Sequence, residues 1–141
     1  MPRFTVFRPL VILSIFFATQ GVLGAAAGGA GLTCSNFVLI GSGSSAAIQA
    51  VCDTGPDGSP PESAVTTSIL IDDCVANQNG VLACVVNGHA ANTCTFSTLS
   101  DVSSTSINIE GTCGNSNGGT TAVPGFNIVT CLTNTNGILT C

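Results

Sequence analysis

The chain has 141 residues, with seven Asp or Glu against two Lys or Arg, a formal net charge of −5, and only 6% charged residues in all. Both basic residues, Arg3 and Arg8, stand at the N-terminal end, so every other charged side chain is a carboxylate. That balance excludes nucleic acid and anionic membrane surfaces as partners, because both are held by Lys and Arg side chains that neutralise phosphates.

Taken in chain order, Arg3 and Arg8 precede an apolar run over residues 10–18 and then small residues at Val22, Gly24 and Ala25. This is the pattern of a secretory signal peptide, expected over residues 1–24 and removed on export. The apolar run is much shorter than the roughly 20 residues of a spanning helix. A secreted, extracellular domain over residues 25–141 is the expectation. Val, Ile and Thr are abundant in it, which favours strands over disorder. It has neither Trp nor Tyr to fill a core. Disulfides are the expected supplement.

Eight cysteines follow, at Cys34, Cys52, Cys74, Cys84, Cys94, Cys113, Cys131 and Cys141. An even count in an exported chain implies a disulfide framework. Structural zinc sites need ligand pairs about two to four residues apart, and the closest cysteines here are ten apart. No metal and no cofactor are implied. The spacings repeat, as 18, 22 and 10 in the first four and 19, 18 and 10 in the last four. Residues 68–84, SILIDDCVANQNGVLAC, align with residues 125–141, GFNIVTCLTNTNGILTC. The chain is therefore an internal duplication, with a first repeat at about 33–84, a linker at 85–92 and a second repeat at about 93–141.

Within the first repeat, Ala46, Ile48, Ala50 and Cys52 alternate with other residues, as do Ile107, Ile109, Gly111 and Cys113 in the second. Period two marks strands with one inward face. GPDGSPPE at residues 55–62 and GNSNGGTT at 114–121 read as the loops that follow. Each repeat closes on a hairpin signal, Asn79-Gly80 or Asn136-Gly137. A three-residue loop through Gln78, Asn79 and Gly80 sets Cys74 opposite Cys84, at the separation a bridge needs; a two-residue Asn-Gly turn pairs Cys74 with Val85 instead. The first register predicts bridges Cys74–Cys84 and Cys131–Cys141. Cys34–Cys52 and Cys94–Cys113 complete the set, one of the 105 pairings that eight cysteines allow. His89, the one histidine, falls in the linker as a solvated residue, and Asp72 and Asp73 suit a capping role.

A leading cysteine, an I-x-x-x-C strand end, a loop, and then S-I-x-x-x-D-C-x-x-N-x-N-G-x-L-x-C, present twice, resembles the cyanovirin-N homology (CVNH) family in its fungal, secreted form. The resemblance covers residues 33–141. It implies an all-β, disulfide-rich, pseudo-symmetric domain of two tandem repeats, each a three-stranded sheet plus a β-hairpin, with the hairpins exchanged between repeats. It further implies a lectin for mannose-rich glycans. By position, one pocket combines Thr33, Asp53 and Thr54 with Asn134 and Asn136. The other combines Asn92, Thr93, Asn115 and Ser116 with Asn77 and Asn79. Gly114 stands where the first pocket has the carboxylate of Asp53.

An enzyme is not expected: one histidine, no lysine and no repeated carboxylate pair leave no activated nucleophile. Hydrophobins are excluded by their adjacent cysteine pairs, since no two cysteines touch here. The remaining rival is a secreted structural or host-interaction module that keeps the fold without binding sugar. Either a monomer or a domain-swapped dimer is compatible with exchanged repeats.

Overall fold

In the computed structural model, which describes residues 30–55 and 63–141, the period-two stretches become the central strands of two sheets. The expected signal peptide and most of the 55–62 loop lie outside the described residues. The first sheet has order β1-β2-β3, from β1 (Cys34–Ile40), β2 (Ala47–Asp53) and β3 (Ala64–Leu70). A one-turn helix α1 (Ile71–Cys74) leads into the hairpin β4 (Val75–Gln78) and β5 (Val81–Cys84). The second repeat copies this with β6 (Cys94–Ser100), β7 (Asn108–Gly114) and β8 (Thr120–Asn127) in one sheet. A 3-10 turn (Ile128–Cys131) and the hairpin β9 (Thr133–Thr135) and β10 (Ile138–Thr140) complete it. Further 3-10 turns, Ala30–Leu32 and Ala90–Asn92, precede the first cysteine of each repeat.

Alternation decides which faces are buried. Ala46, Ile48, Ala50 and Cys52 turn inward, as do Ile107, Ile109 and Cys113. Their inner faces meet Ile71, Val75, Ile128 and Leu132 in one core shared by both repeats. The hairpins are exchanged: β10 of the second repeat lies against β3 of the first, and β5 of the first lies against β8 of the second. This is the all-β, pseudo-symmetric, hairpin-exchanged fold expected above.

Two of the four expected bridges are present, Cys34–Cys52 and Cys94–Cys113, each joining directly opposed residues of neighbouring strands. The other two are not. Cys74 is bonded to Cys141 and Cys84 to Cys131, so both bridges run between repeats. The cause is one residue of register. The hairpin turns through Asn79 and Gly80 alone, with Gln78 facing Val81 and Val75 facing Cys84. Both turn residues have positive φ, 58° and 90°, and their counterparts Asn136 and Gly137 have 51° and 86°. This is a type I′ turn, whose twist matches that of the strands it joins. Cys84 is thus level with Val75, one residue beyond Cys74. Neighbouring residues of a strand project to opposite faces, so the two sulfurs diverge, and each finds a partner on the other repeat. Val85 N–H donates to the Cys74 carbonyl at 3.0 Å, as the two-residue turn requires.

The linker is built into the fold by Asp72. Its buried carboxylate accepts from the Ala91 N–H at 2.6 Å, and its main-chain oxygen accepts from His89 N–H at 2.9 Å. The capping role expected of Asp72 is therefore served on the 3-10 turn of the linker and not on its own helix. His89 is exposed, with a left-handed φ of 54°.

At the hairpin tips a Cβ on Gly137 would overlap the side chains of Thr54 and Val65, and one on Gly80 would overlap Thr121. Left-handed geometry adds its own penalty for other residues. Gly137→Ala and Gly80→Ala are each expected to lower stability by about 1–3 kcal/mol, read from urea unfolding with the disulfides intact. A loss below about 0.5 kcal/mol at both sites would contradict the two-residue turn.

Candidate functional site

The turn end of each hairpin meets the opening of the other repeat's sheet, and polar side chains gather there. Asn134 on β9 donates through Nδ2 to Thr33 Oγ1 at 3.0 Å and to the Asp53 carbonyl at 2.9 Å, while its Oδ1 accepts from Gly137 N–H at 2.8 Å. Asn77 on β4 repeats the arrangement in the other half. It donates to Thr93 Oγ1 at 2.9 Å and to the Gly114 carbonyl at 2.8 Å, and accepts from Gly80 N–H at 2.7 Å. The strands behind are aligned by Asp53 N–H to Thr33 O at 2.9 Å and Gly114 N–H to Thr93 O at 2.7 Å.

One amide thus fixes its own turn and two points on the opposite repeat. Both Nδ2 protons of Asn77 and Asn134 are engaged, which leaves these residues little capacity for a ligand. Replacing Asp53 by Gly114 does not disturb the arrangement, because the group that accepts is the main-chain carbonyl. What the second half lacks is the carboxylate itself.

Around this shared arrangement the two halves differ. In the first, Thr54 Oγ1 donates to the Ser63 carbonyl at 3.1 Å and lies 2.6 Å from Ser63 Oγ. Asn136 is exposed at the turn beside it. Among the described residues neither the Asp53 carboxylate nor the Asn136 amide has a hydrogen-bond partner, whereas the Thr54 and Ser63 hydroxyls are bonded to each other. In the second half the polar groups are largely turned on each other. Asn79 Oδ1 accepts from Ser116 N–H at 2.6 Å. Asn115 Oδ1 accepts from Asn117 N–H at 3.1 Å and Gly119 N–H at 3.0 Å, and its Nδ2 donates to Thr121 Oγ1 at 3.2 Å. Asn92 is exposed at the end of the 3-10 turn beside Thr93.

The structure therefore brings Thr33, Asp53, Thr54 and Asn134 together, with Asn136 one turn position away. It brings Asn77, Asn79, Thr93, Asn115 and Ser116 together as well, and places Asn92 at the margin. Two members were not expected, Ser63 and Thr121. Ser63 occupies the register position of Gly119, and Thr121 that of Val65. Only the pairing of the sheets reveals those equivalences.

Residues 32–140, well over half the chain, match the CVNH domain. The chain belongs to the CVNH family. Among solved structures, a designed cyanovirin-N homolog lectin determined by NMR superposes with a TM-score of 0.60 at 19% identity, over 79% of this chain and 96% of that one. The NMR structure of the CVNH protein of Gibberella zeae gives 0.58 at 16% identity, over 80% of this chain and 96% of that one. At such identities the likeness is one of fold. No curated protein sequence matches the chain significantly.

For a CVNH domain held this way, Asn134→Ala and Asn77→Ala should each destabilise by about 2 kcal/mol, since three hydrogen bonds go and the Gly137 or Gly80 N–H loses its acceptor. Asn134→Asp should also destabilise, because a carboxylate cannot donate to the Asp53 carbonyl. Urea unfolding of the oxidised variants measures this. Wild-type stability in all three would show that the amides do not hold the hairpins.

Proposed function

We propose that this CVNH protein is an exported lectin that takes mannose-rich glycans, with its first site formed by Asp53, Thr54, Asn136 and the neighbouring Thr33 and Asn134. CVNH is a family of lectins and not of enzymes, which supports a carbohydrate-binding role. The observation that carries the reading further is the junction at Asp53, where Asn134 of the second repeat bonds the Asp53 carbonyl of the first. Asp53 of the first repeat and Asn136 of the second, both without a hydrogen-bond partner among the described residues, belong to the two segments that Asn134 joins. Vicinal sugar hydroxyls each donate and accept, so a carboxylate flanked by an amide suits them, and neither metal nor cofactor is needed. The second site, around Asn79, Asn92, Thr93, Asn115, Ser116 and Asn77, is the weaker one, because it lacks the carboxylate and its amides are engaged internally.

Export rests on the basic, apolar and small-residue pattern of residues 1–24. Among the described residues no helix is long and apolar enough to cross a membrane. One observation favours the rival reading of a non-binding structural module: Asn77 and Asn134 serve the fold with every amide proton.

A glycan array probed with oxidised residues 25–141 decides between them, and signal on α-mannose-rich structures is expected. Asp53→Ala combined with Asn136→Gly should reduce binding at the first site by about tenfold or more, through loss of charge-assisted and neutral hydrogen bonds. Glycine is chosen at 136 because it keeps the left-handed turn. Binding unaffected by the pair would remove Asp53 and Asn136 from the site, and no binding to any glycan would favour the structural module.

A further inference from the structure

The two hairpins dock in the same register, but what each meets on the opposite sheet differs. In each hairpin the asparagine faces a leucine across the ladder, Asn134 with Leu139 and Asn77 with Leu82. This is the non-hydrogen-bonded pair next to the turn, so the leucine N–H points away from its own hairpin and toward the sheet of the other repeat. For Leu139 that donor is met: its N–H reaches Thr67 Oγ1 of β3 at 3.2 Å. Thr67 pairs with Ala50, and the residue that pairs with the equivalent Gly111 is Val123. Valine has no side-chain acceptor to offer at that position. Among the described residues Leu82 N–H has no acceptor, and beside it runs a groove of about 250 Å³ between β5 and β8, lined by Val81, Leu82, Thr121, Val123, Pro124 and Phe126.

We propose that this groove is a subsite for a further hexopyranose unit of a glycan whose neighbouring unit occupies the Asn79–Ser116 cluster. The inference rests on the lectin reading above. Three features select a sugar. Gly80 and Thr121 border both the groove and the polar cluster, so a ligand in one continues into the other. Val81, 65% exposed, and the exposed Pro124 offer an apolar wall that matches the C–H face of a pyranose. Leu82, whose N–H has no acceptor among the described residues, and Thr121 both line the groove, and the N–H supplies a donor for a ring or hydroxyl oxygen. A purely apolar ligand would leave that donor unmet, at a cost.

The test is an amide NMR titration of the oxidised protein, first with methyl α-mannoside and then with a free high-mannose N-glycan. Asn79 and Ser116 amides are expected to shift with both, and Leu82 and Phe126 amides with the oligosaccharide alone. Val123→Thr places at the groove the hydroxyl that β3 already has. It should abolish the Leu82 shift and weaken oligosaccharide binding at this site by about fivefold, with monosaccharide binding unchanged. Val81→Ser tests the wall independently, with the same direction. A Leu82 amide that stays put while Asn79 and Ser116 respond overturns the subsite and leaves the lectin reading standing. Shifts confined to Thr54 and Asn136 do the same. No shift with either sugar overturns the lectin reading, and the subsite with it.

Discussion

A single carboxamide beside the turn of each hairpin organises the molecule. Asn77 and Asn134 each accept from the glycine N–H of their own turn and donate to a threonine hydroxyl and a strand-end carbonyl of the other repeat. The turn, the exchange and the polar patch are therefore one construction. If the hairpin left the opposite sheet, the turn glycine would lose its acceptor's position, the core would lose Leu82 or Leu139, and the groups of the sugar patch would separate. Three net hydrogen bonds of about 1 kcal/mol each are a large share of the 5–15 kcal/mol by which a domain is typically stable.

Covalent chemistry reinforces the same exchange. The described domain has no Lys or Arg with which to form ion pairs and no Trp or Tyr in its core, so it relies on small aliphatic side chains and on four bridges. Cys34–Cys52 and Cys94–Cys113 close short loops and brace each sheet opening. Cys74–Cys141 and Cys84–Cys131 close loops of 67 and 47 residues and tie the two hairpins into one chain. In the chain-entropy picture a long loop gains more, about 4 kcal/mol against about 3 for the short ones. Those gains are not additive, since the long loops are nested.

Much of this was legible in the residues, for definite reasons. Alternation through Ile48 and Ile109 reports the inward faces because a strand's period is two. Cys34 and Cys52 pair as expected because they end adjacent strands at the same level. The repeat aligned Asn77 with Asn134, and the family resemblance named the threonines they meet. What could not be read was set by tertiary contact. The bridges at Cys74 and Cys84 depend on a turn of two residues rather than three, and that shift of one position sends each sulfur to the other repeat. Nothing local distinguishes a threonine that satisfies a distant leucine from a valine that leaves it open, so the contrast between Thr67 and Val123 appears only once both sheets are paired. Likewise the role of the Asp53 carbonyl, which Gly114 reproduces in the second repeat, is invisible to a reading of side chains.

The exchange of hairpins is the claim on which the rest stands, and its covalent trace can be read directly by non-reducing peptide mapping. With the chain cleaved after Leu82, Phe126 and Leu132, the four cysteines of the hairpins fall on separate fragments. The fragment carrying Cys131 should remain joined to the one carrying Cys84, and the C-terminal fragment with Cys141 to the one carrying Cys74. Recovery of Cys131 joined to Cys141, or of Cys74 joined to Cys84, would contradict the exchanged arrangement.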